Sequence, residues 1–420
     1  MSRIVYDLTE IFYSSRGKLK YYGIVRVVAE IACEVHKIDP TAQFAIYSPA
    51  HDDFFQVFPT LDENAEGGVS LNVPVEARPV RIREIFHSQN RLRDLVLWPV
   101  RAIVRIINRR NWQRAGVDLP RLNLDGASFV TAGRPKLMLA PLRAIERAGG
   151  NVKVHVLLHD MFPLHNYSGH RVYSFPRNFL GDNRYVIARA AQILANSEFT
   201  RQEILAFSAQ GVLPAVPKIV AVPLVHECRP GSEPPEKTIP DEPYLLAVGA
   251  LVGRKNIEIA FNAMLDLYHR AKPVPRLILA GAPRDHIRKY LSQERYAPIR
   301  DRIEQSVDPN QTDLVRFYSG ALALVIGSRI EGWGLPAGEA LWLGTPVLCS
   351  TAPVFREVCG DLGLYFDPDS PRELADHIDR LMNETGFKVD LVGRIRAART
   401  SLRKWSDVAR ELLAAVKEFR

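Results

Sequence analysis

Apolar and polar positions alternate along this chain with two periods. RIVYDL, beginning at Arg3, is an apolar run of strand length. After the polar loop SSRGKLKYY, the stretch GIVRVVAEIACEVHK spaces its apolar residues three and four apart, as an amphipathic helix does. QFAIYS and KVHVLLHD repeat the strand pattern, and YVIARAAQILANSEFTRQEILAF contains a helix beginning near Phe199 that Asn196 or Ser197 can cap. A Pro-rich polar stretch, 223–243, reads as a linker. Beyond it the strands PYLLAVGA, PRLILAGA, LALVIGS and PVLCS alternate with helices in GRKNIEIAFNAMLDLYHRA, IRKYLSQERYA and LPAGEALWLG. Short apolar strands alternating with helices predict parallel sheets covered on both faces, hence two doubly wound α/β domains with ligands at the strand C-termini. The expected boundaries are 1–222 for the first domain, 244–404 for the second, and 405–420 for a last helix, KWSDVARELLAAVKEF, which the pattern assigns to neither.

Composition narrows the class. A chain of 420 residues exceeds what one core organises, and 47% hydrophobic with 24% charged residues excludes wholesale disorder. Cys33, Cys228, Cys349 and Cys359 form no CxxC pair and are too sparse for a disulfide framework, which fits a reducing compartment. MSRIVYDLTEIF has no long apolar core, and no stretch reaches the roughly 18 uncharged residues of a membrane span. The expectation is a cytoplasmic protein, at most peripheral on the inner face of the inner membrane.

The charge is unevenly placed. The chain carries +8, and ten arginines with no lysine fall between Arg78 and Arg114, near only Glu76, Glu84 and Asp94. In this arm, about 76–114, Leu92, Leu95, Val96, Val100, Ile103 and Ile107 fall near one helical face and Arg101, Arg105 and Arg109 along another, with Trp98 at the boundary and Pro99 expected to kink it. Two readings stay open. Residues 91–110 form an interfacial helix on an anionic inner-membrane surface, or an ordinary amphipathic helix packed on the first domain. Nucleic acid is excluded as a partner, because no stacking aromatics interleave the basic residues and no recognisable module is present.

Candidate chemistry lies after the strands of the second domain. In GALVGRKN, Gly249 permits a tight turn, and Arg254 and Lys255 precede a helix whose N-terminus could help them neutralise a diphosphate; the competing reading is a solvated basic pair. In EGWGLPAGEALWLGTPVL, Pro336 suits a first helical turn, so the amides of Gly334 and Leu335 should face an anion. Glu331 and Glu339 bracket that loop, and a carboxylate beside a phosphate has neutral hydroxyls left to bind. A nucleotide sugar supplies both kinds of group. The bland alternatives are a surface acid at Glu331 and dipole stabilisation of about 0.3–1 kcal/mol at Glu339. His155, His159, Asp160, His165 and His170 crowd one stretch but match no zinc spacing, so no metal is expected. His159 reads as a site histidine at a strand end, and Asp160 either orients it or begins the loop.

These motifs carry a resemblance. EGWGLPAGEALWLGTPVLCS, preceded by FYSGALALVIGS and followed by PVFREVCGDLGLYFDPDSPRELADHI, is similar to the retaining glycosyltransferases of family 4, as are AVGALVGRKN, VHVLLHDMFPL, AQILANSEFTRQEI and YYGIVRVVAEIA. The set covers most of the chain except roughly 50–125 and most resembles bacterial polysaccharide and O-antigen mannosyltransferases. The resemblance implies the GT-B fold: two Rossmann-like doubly wound domains facing across a cleft, the first binding acceptor and the second the nucleotide sugar. It implies that Glu331 holds hydroxyls of the donor sugar, Glu339 the ribose, and Arg254 and Lys255 the diphosphate. Gly249, Gly334, Leu335 and Pro336 would shape the donor site, Gly23 would approach the donor from the first domain, and His159 would stand near the reacting sugar. Two departures stand out: Ala250 where an arginine is common, and Arg329 and Gly327 where neutral and proline residues, respectively, are commoner. The implied activity transfers a hexose, with retention and without metal or cofactor, from a nucleotide diphosphate sugar to a glycan or lipid-linked glycan of a surface polysaccharide or lipopolysaccharide O-chain. GDP-mannose or a related GDP-sugar leads as donor. UDP- or dTDP-sugars, a GT-B glycan phosphorylase and a non-catalytic glycan-binding partner are the alternatives.

Overall fold

Two parallel sheets form from these apolar runs, in a computed structural model that describes residues 3–14, 23–61, 69–79, 91–165, 179–229, 236, 238–249, 252–283 and 285–419. The first contains β1 (Ile4–Asp7), β2 (Gln43–Ser48), β3 (Asp53–Val57), β4 (Ser128–Thr131), β5 (Lys153–Leu158), β6 (Gln192–Ala195) and β7 (Lys218–Ala221), in the order β3-β2-β1-β4-β5-β6-β7. All neighbours run parallel except β2 and β3, which pair antiparallel from Ser48 opposite Asp53. This departs from the expected all-parallel sheet for a simple reason: residues 49–52 are too few for a crossover and can make only a hairpin. Strands β1 and β4 are buried along their whole length, as a sheet covered on both faces requires.

The second sheet contains β8 (Tyr244–Val248), β9 (Arg276–Gly281), β10 (Ile303–Val307), β11 (Ala323–Ile326), β12 (Val347–Ser350) and β13 (Gly363–Phe366). Its order is β10-β9-β8-β11-β12-β13, parallel throughout. In both sheets the winding direction reverses once, between β1 and β4 and between β8 and β11. Beyond the strand C-termini at such a reversal the flanking loops part, which leaves a crevice for a ligand.

Locally the sequence explains the elements well. Ser197 caps the helix Glu198–Ala209, its side chain accepting from the Thr200 amide at 2.9 Å. The helix Ile24–Ile38 buries Val27, Val28, Ile31, Ala32 and Val35, the valines and isoleucine each contributing roughly 1.5–3 kcal/mol of burial. IRKYLSQERYA, read as one helix, instead makes Asp285–Leu291 followed by a 3₁₀ segment, Glu294–Arg302, with Pro298 inside it. Proline at that point removes an amide donor that an α-helix would need.

The chain divides into two compact units, one of Met1–Leu164, Phe175–Pro223 and Trp405–Arg420, the other including Leu224–Lys404. The last helix, Trp405–Lys417, thus belongs to the first unit, where it packs on Ile24–Ile38. Trp405 is fully buried beside the Arg26 guanidinium, Lys417 pairs with Asp39 at 2.9 Å, and Phe419 meets the His155 ring edge-on. The stretch read as a linker is not all solvated, since Leu224, Val225, His226 and Cys228 are buried within the second unit.

The arm forms a continuous helix, Arg91–Arg114, running through Pro99. Val104, Asn108 and Trp112, four residues apart, are buried, and Trp112 contacts Phe12, Phe55 and His51 with ring centroids 5.1–6.2 Å away. Arg109 donates from Nε to the Ala50 carbonyl at 2.8 Å. The helix is therefore fastened to the first unit along one side.

Candidate functional site

At the reversal of the second sheet, β8 ends in Gly249, whose φ of +65° lies in the left-handed region and lets the chain turn. Gly253 donates its amide to Glu258 Oε1 at 2.9 Å, and Asn256, at φ +49°, anchors its side-chain amide on the Pro368 carbonyl at 2.8 Å. Arg254 and Lys255 are thereby held between two fixed points. β11 ends beside them in Gly327, where a Cβ would come within 2.6 Å of the Asn256 carbonyl oxygen. That approach explains a glycine at 327, which the sequence had shown only as a departure from the usual pattern. Arg329 continues the join, its amide donating to the Arg254 carbonyl at 3.0 Å and its guanidinium pairing with Asp369.

Glu331 sits against both cations: Arg254 Nη1 lies 3.1 Å from Oε2 and Lys255 Nζ 2.6 Å from Oε1. Burial pushes its carboxyl up, but Lys255 and Arg254 outweigh that and bring it down to about 2. Glu331 is thus ionised at any physiological pH. The cations assigned to a diphosphate and the acid assigned to a sugar are engaged with one another, one carboxylate between two positive groups, which leaves a surplus of one positive charge. A cleft at this point is lined by Val248, Lys255, Gly327, Ser328, Glu331, Gly334 and Pro336.

Gly334 caps the helix Leu335–Trp342 at φ +93°, and a Cβ there would lie 2.8 Å from the Phe355 ring. With Pro336 in the first turn, the leading amides of this helix have no intrahelical acceptor. Glu339 lies one turn further on, since the first turn has no acid. The dipole reading of Glu339 loses its basis, because that effect fades beyond the first turn. Glu339 is 5% exposed and accepts from the Tyr318 hydroxyl at 2.7 Å. Gly338 faces the former linker, where a Cβ would meet the Val225 carbonyl at 2.9 Å, and Trp333 Nε1 donates to that same oxygen at 3.0 Å. Ala250 lies outside the described residues.

The first unit's reversal holds a second polar cluster. Asp7 ends β1, and its two oxygens accept from the Thr9 amide at 2.9 Å and the Thr131 hydroxyl at 2.8 Å. Burial raises its carboxyl above the ordinary carboxylate range, against those hydrogen bonds. Glu10 is buried and paired with Arg134, whose amide and Nε both donate to it at 2.9 Å. His159 follows β5, 8% exposed, with Nε2 2.6 Å from the Ala132 carbonyl. A carbonyl only accepts, so Nε2 carries the proton. Burial lowers this imidazole's affinity for a second proton, and Nδ1 is left with its lone pair. Gly23, at φ +60°, opens the helix Ile24–Ile38, and a Cβ on it would meet nothing within 4 Å. Its glycine is required by backbone conformation, not by crowding.

Asp7, Glu10 and Arg134 escaped the sequence reading, although an acid ending the first strand in IVYD was visible at the position where a doubly wound fold places ligands. The histidines disperse: His155 lies buried in β5, 2.8 Å from Gln192 Oε1, and His170 lies outside the described residues. Among the described residues no group of three or more His, Cys, Asp or Glu side chains is placed to hold a metal ion.

Residues 232–397 match the family model of glycosyl transferases group 1. The chain is similar to an uncharacterized glycosyltransferase of Methanocaldococcus jannaschii, 28% identical over 180 residues, or 42% of this chain and 45% of that one. It is also similar to the O-antigen chain mannosyltransferase RfbU of Salmonella typhimurium, 31% identical over 155 residues, or 34% of this chain and 42% of that one. The chain thus matches less than half the length of these curated relatives. Its fold is similar to that of sucrose-phosphate synthase from Thermosynechococcus elongatus, with a TM-score of 0.65 at 16% identity over 100% of this chain and 99% of that one. Anabaena HepE, solved with UDP-glucose, gives a TM-score of 0.61 at 15% identity over 99% of this chain and 100% of that one. Two parallel-sheet Rossmann-like units therefore make a GT-B fold, and the segment that brings Arg254, Lys255, Glu331 and Glu339 together is the segment that matches the glycosyl transferases group 1 model.

Proposed function

We propose that this protein is a retaining glycosyltransferase that moves a hexose from a nucleotide diphosphate sugar to a glycan or lipid-linked glycan. One observation carries the reading: Glu331 stands between Arg254 and Lys255 at the reversal of the second sheet. A donor diphosphate answers the surplus positive charge. As it enters, the two cations turn to the phosphates and Glu331 is released to accept hydrogen bonds from sugar hydroxyls. Glu339, fixed by Tyr318, takes the ribose, and the amides after Gly334 add positive potential.

In the transfer, the bond between the anomeric carbon and the phosphate oxygen breaks while a bond to the acceptor oxygen forms on the same face. The acceptor proton passes to the departing phosphate oxygen. No protein nucleophile is needed. Arg254 and Lys255 stabilise the charge that grows on the diphosphate, the work a metal ion performs in other transferases. The first unit, with Asp7, Glu10, Arg134 and the neutral His159, is the acceptor side. Similarity to O-antigen mannosyltransferases supports GDP-mannose or a related GDP-sugar as donor and a surface polysaccharide as product, made by a protein at the cytoplasmic face of the membrane.

Melting curves of the purified protein with GDP-, UDP- and dTDP-sugars test the donor, because a ligand of the native state raises the melting temperature. The expected order puts GDP-mannose first, with nucleoside diphosphate released on adding acceptor and undiminished in EDTA. Release of sugar 1-phosphate dependent on inorganic phosphate would make the protein a phosphorylase. Binding of glycan without turnover of any donor would make it a silent partner.

A further inference from the structure

We propose that the helix Arg91–Arg114 docks the protein on an anionic lipid bilayer. Val104, Asn108 and Trp112 fasten one side of this helix to the first unit. A second line, Val96, Val100, Ile103 and Ile107, recurs at steps of four, three and four and is 74%, 39%, 58% and 42% exposed. Ile106, 50% exposed, widens it. Because the first side is held by aromatic contacts, the helix has no freedom to roll this aliphatic line out of the solvent.

Charge selects the occupant. Residues 78–114 hold ten arginines against Glu84 and Asp94, a net of +8, equal to the +8 of the whole chain. Arg110 and Arg114 are exposed beside the aliphatic line and at its end, whereas Arg105 lies half a turn round the helix, near Tyr47, and Arg109 is spent on Ala50. This corrects the arginine set expected from helical spacing alone. An aliphatic line edged by guanidinium groups matches the boundary between lipid phosphates and acyl chains. A second copy of this chain fits poorly, since pairing two such faces would bring their arginines together. The helix lies on the surface and does not cross it: no described helix is long and apolar enough to span a membrane. This inference stands apart from the proposed transferase activity.

The test is co-sedimentation of the full-length protein with phosphatidylcholine vesicles, with and without phosphatidylglycerol. The parent should bind only the anionic vesicles, more weakly as salt rises. The triple variant Val100→Ser, Ile103→Ser, Ile107→Ser, at exposed positions, should keep the parent melting temperature and lose binding by ~10-fold or more. The variant Arg110→Glu, Arg114→Glu should lose roughly fivefold per charge. Donor turnover in solution should be unchanged in both, which separates this inference from the function above. No binding of the parent to anionic vesicles, equal binding to neutral ones, or undiminished binding by both variants would overturn it. So would a dimer of the parent that the serine variant dissolves.

Discussion

The two sheet reversals occupy corresponding places in two doubly wound sheets, yet their charge is arranged differently. In the second unit one carboxylate, Glu331, faces two cations, and the surplus is positive. In the first unit Glu10 pairs with Arg134, with a buried Asp7 and a neutral His159 beside them. Topology decides where a ligand can sit, and the local count of charges decides which ligand. In the function proposed above, the two cations at Glu331 answer a diphosphate and the polar cluster of the first unit answers hydroxyls.

The sharpest way to break this comparison is to remove the surplus. Arg254→Ala with Lys255→Ala should lower kcat/KM by ~10²-fold or more if, as proposed, both cations stabilise the leaving diphosphate. Near-normal steady-state kinetics would end the assignment.

Next comes the division of labour between the two acids. Glu331→Gln should lower turnover by roughly 10- to 150-fold, the loss of a charged hydrogen bond of about 1.5–3 kcal/mol. The same change frees Arg254 and Lys255, so bare nucleoside diphosphate should bind about fivefold tighter, for an ion pair of about 1 kcal/mol no longer to be broken. Glu339→Gln should instead weaken the bare nucleotide and the donor alike. Calorimetry beside kinetics reads both. If Glu331→Gln weakens the bare nucleotide, the exchange of partners is wrong.

Breaking the first unit's pair should look different. Arg134→Ala leaves Glu10 buried without its cation and should cost about 1–3 kcal/mol of stability, discounted because the arginine is partly exposed. Nucleoside diphosphate affinity should not move. A donor-affinity loss with an unchanged melting temperature would place Arg134 in the donor site.

The smallest effect is a pH dependence. Burial lowers the imidazole pKa of His155, His159 and His226, so the fold holds all three neutral. For a depressed group the stabilisation is full above the unfolded value, near 6.5, and is lost as pH falls from there through the folded values. Asp7, raised by burial, runs the other way: its contribution is present below the ordinary carboxylate range and lost as pH rises through its elevated value. The melting temperature should therefore fall as pH drops below about 6.5. A profile flat from neutrality to pH ~5 in both the parent and Asp7→Asn would show that these imidazoles are not held neutral by the fold.

Much of this site was legible because its residues are close in sequence. Gly249 to Asn256 and Glu331 to Glu339 are two short stretches, each following a strand, and a parallel sheet brings successive strand ends to one edge. Glu10 and Arg134 are 124 residues apart, and neither stands in a patterned motif. The arm shows the same limit. Helical spacing gave the aliphatic line, but only contact with Phe12, Phe55 and Ala50 separates the side that is buried from the side that is not.

By itself the sequence determined the elements that depend on local periodicity and capping: two series of short apolar strands and amphipathic helices, the Ser197 cap, and the loops bearing Arg254, Lys255 and Glu331. Those follow from side chains within a few residues of one another. Tertiary structure alone decided that Leu224, Val225, His226 and Cys228 are buried core and that Glu331 pairs with both cations. It also decided that the helix Trp405–Lys417 leaves its sequence neighbours to pack on Ile24–Ile38. An amphipathic helix states only that it must bury one face, and the surface that accepts it is assembled from residues hundreds of positions away.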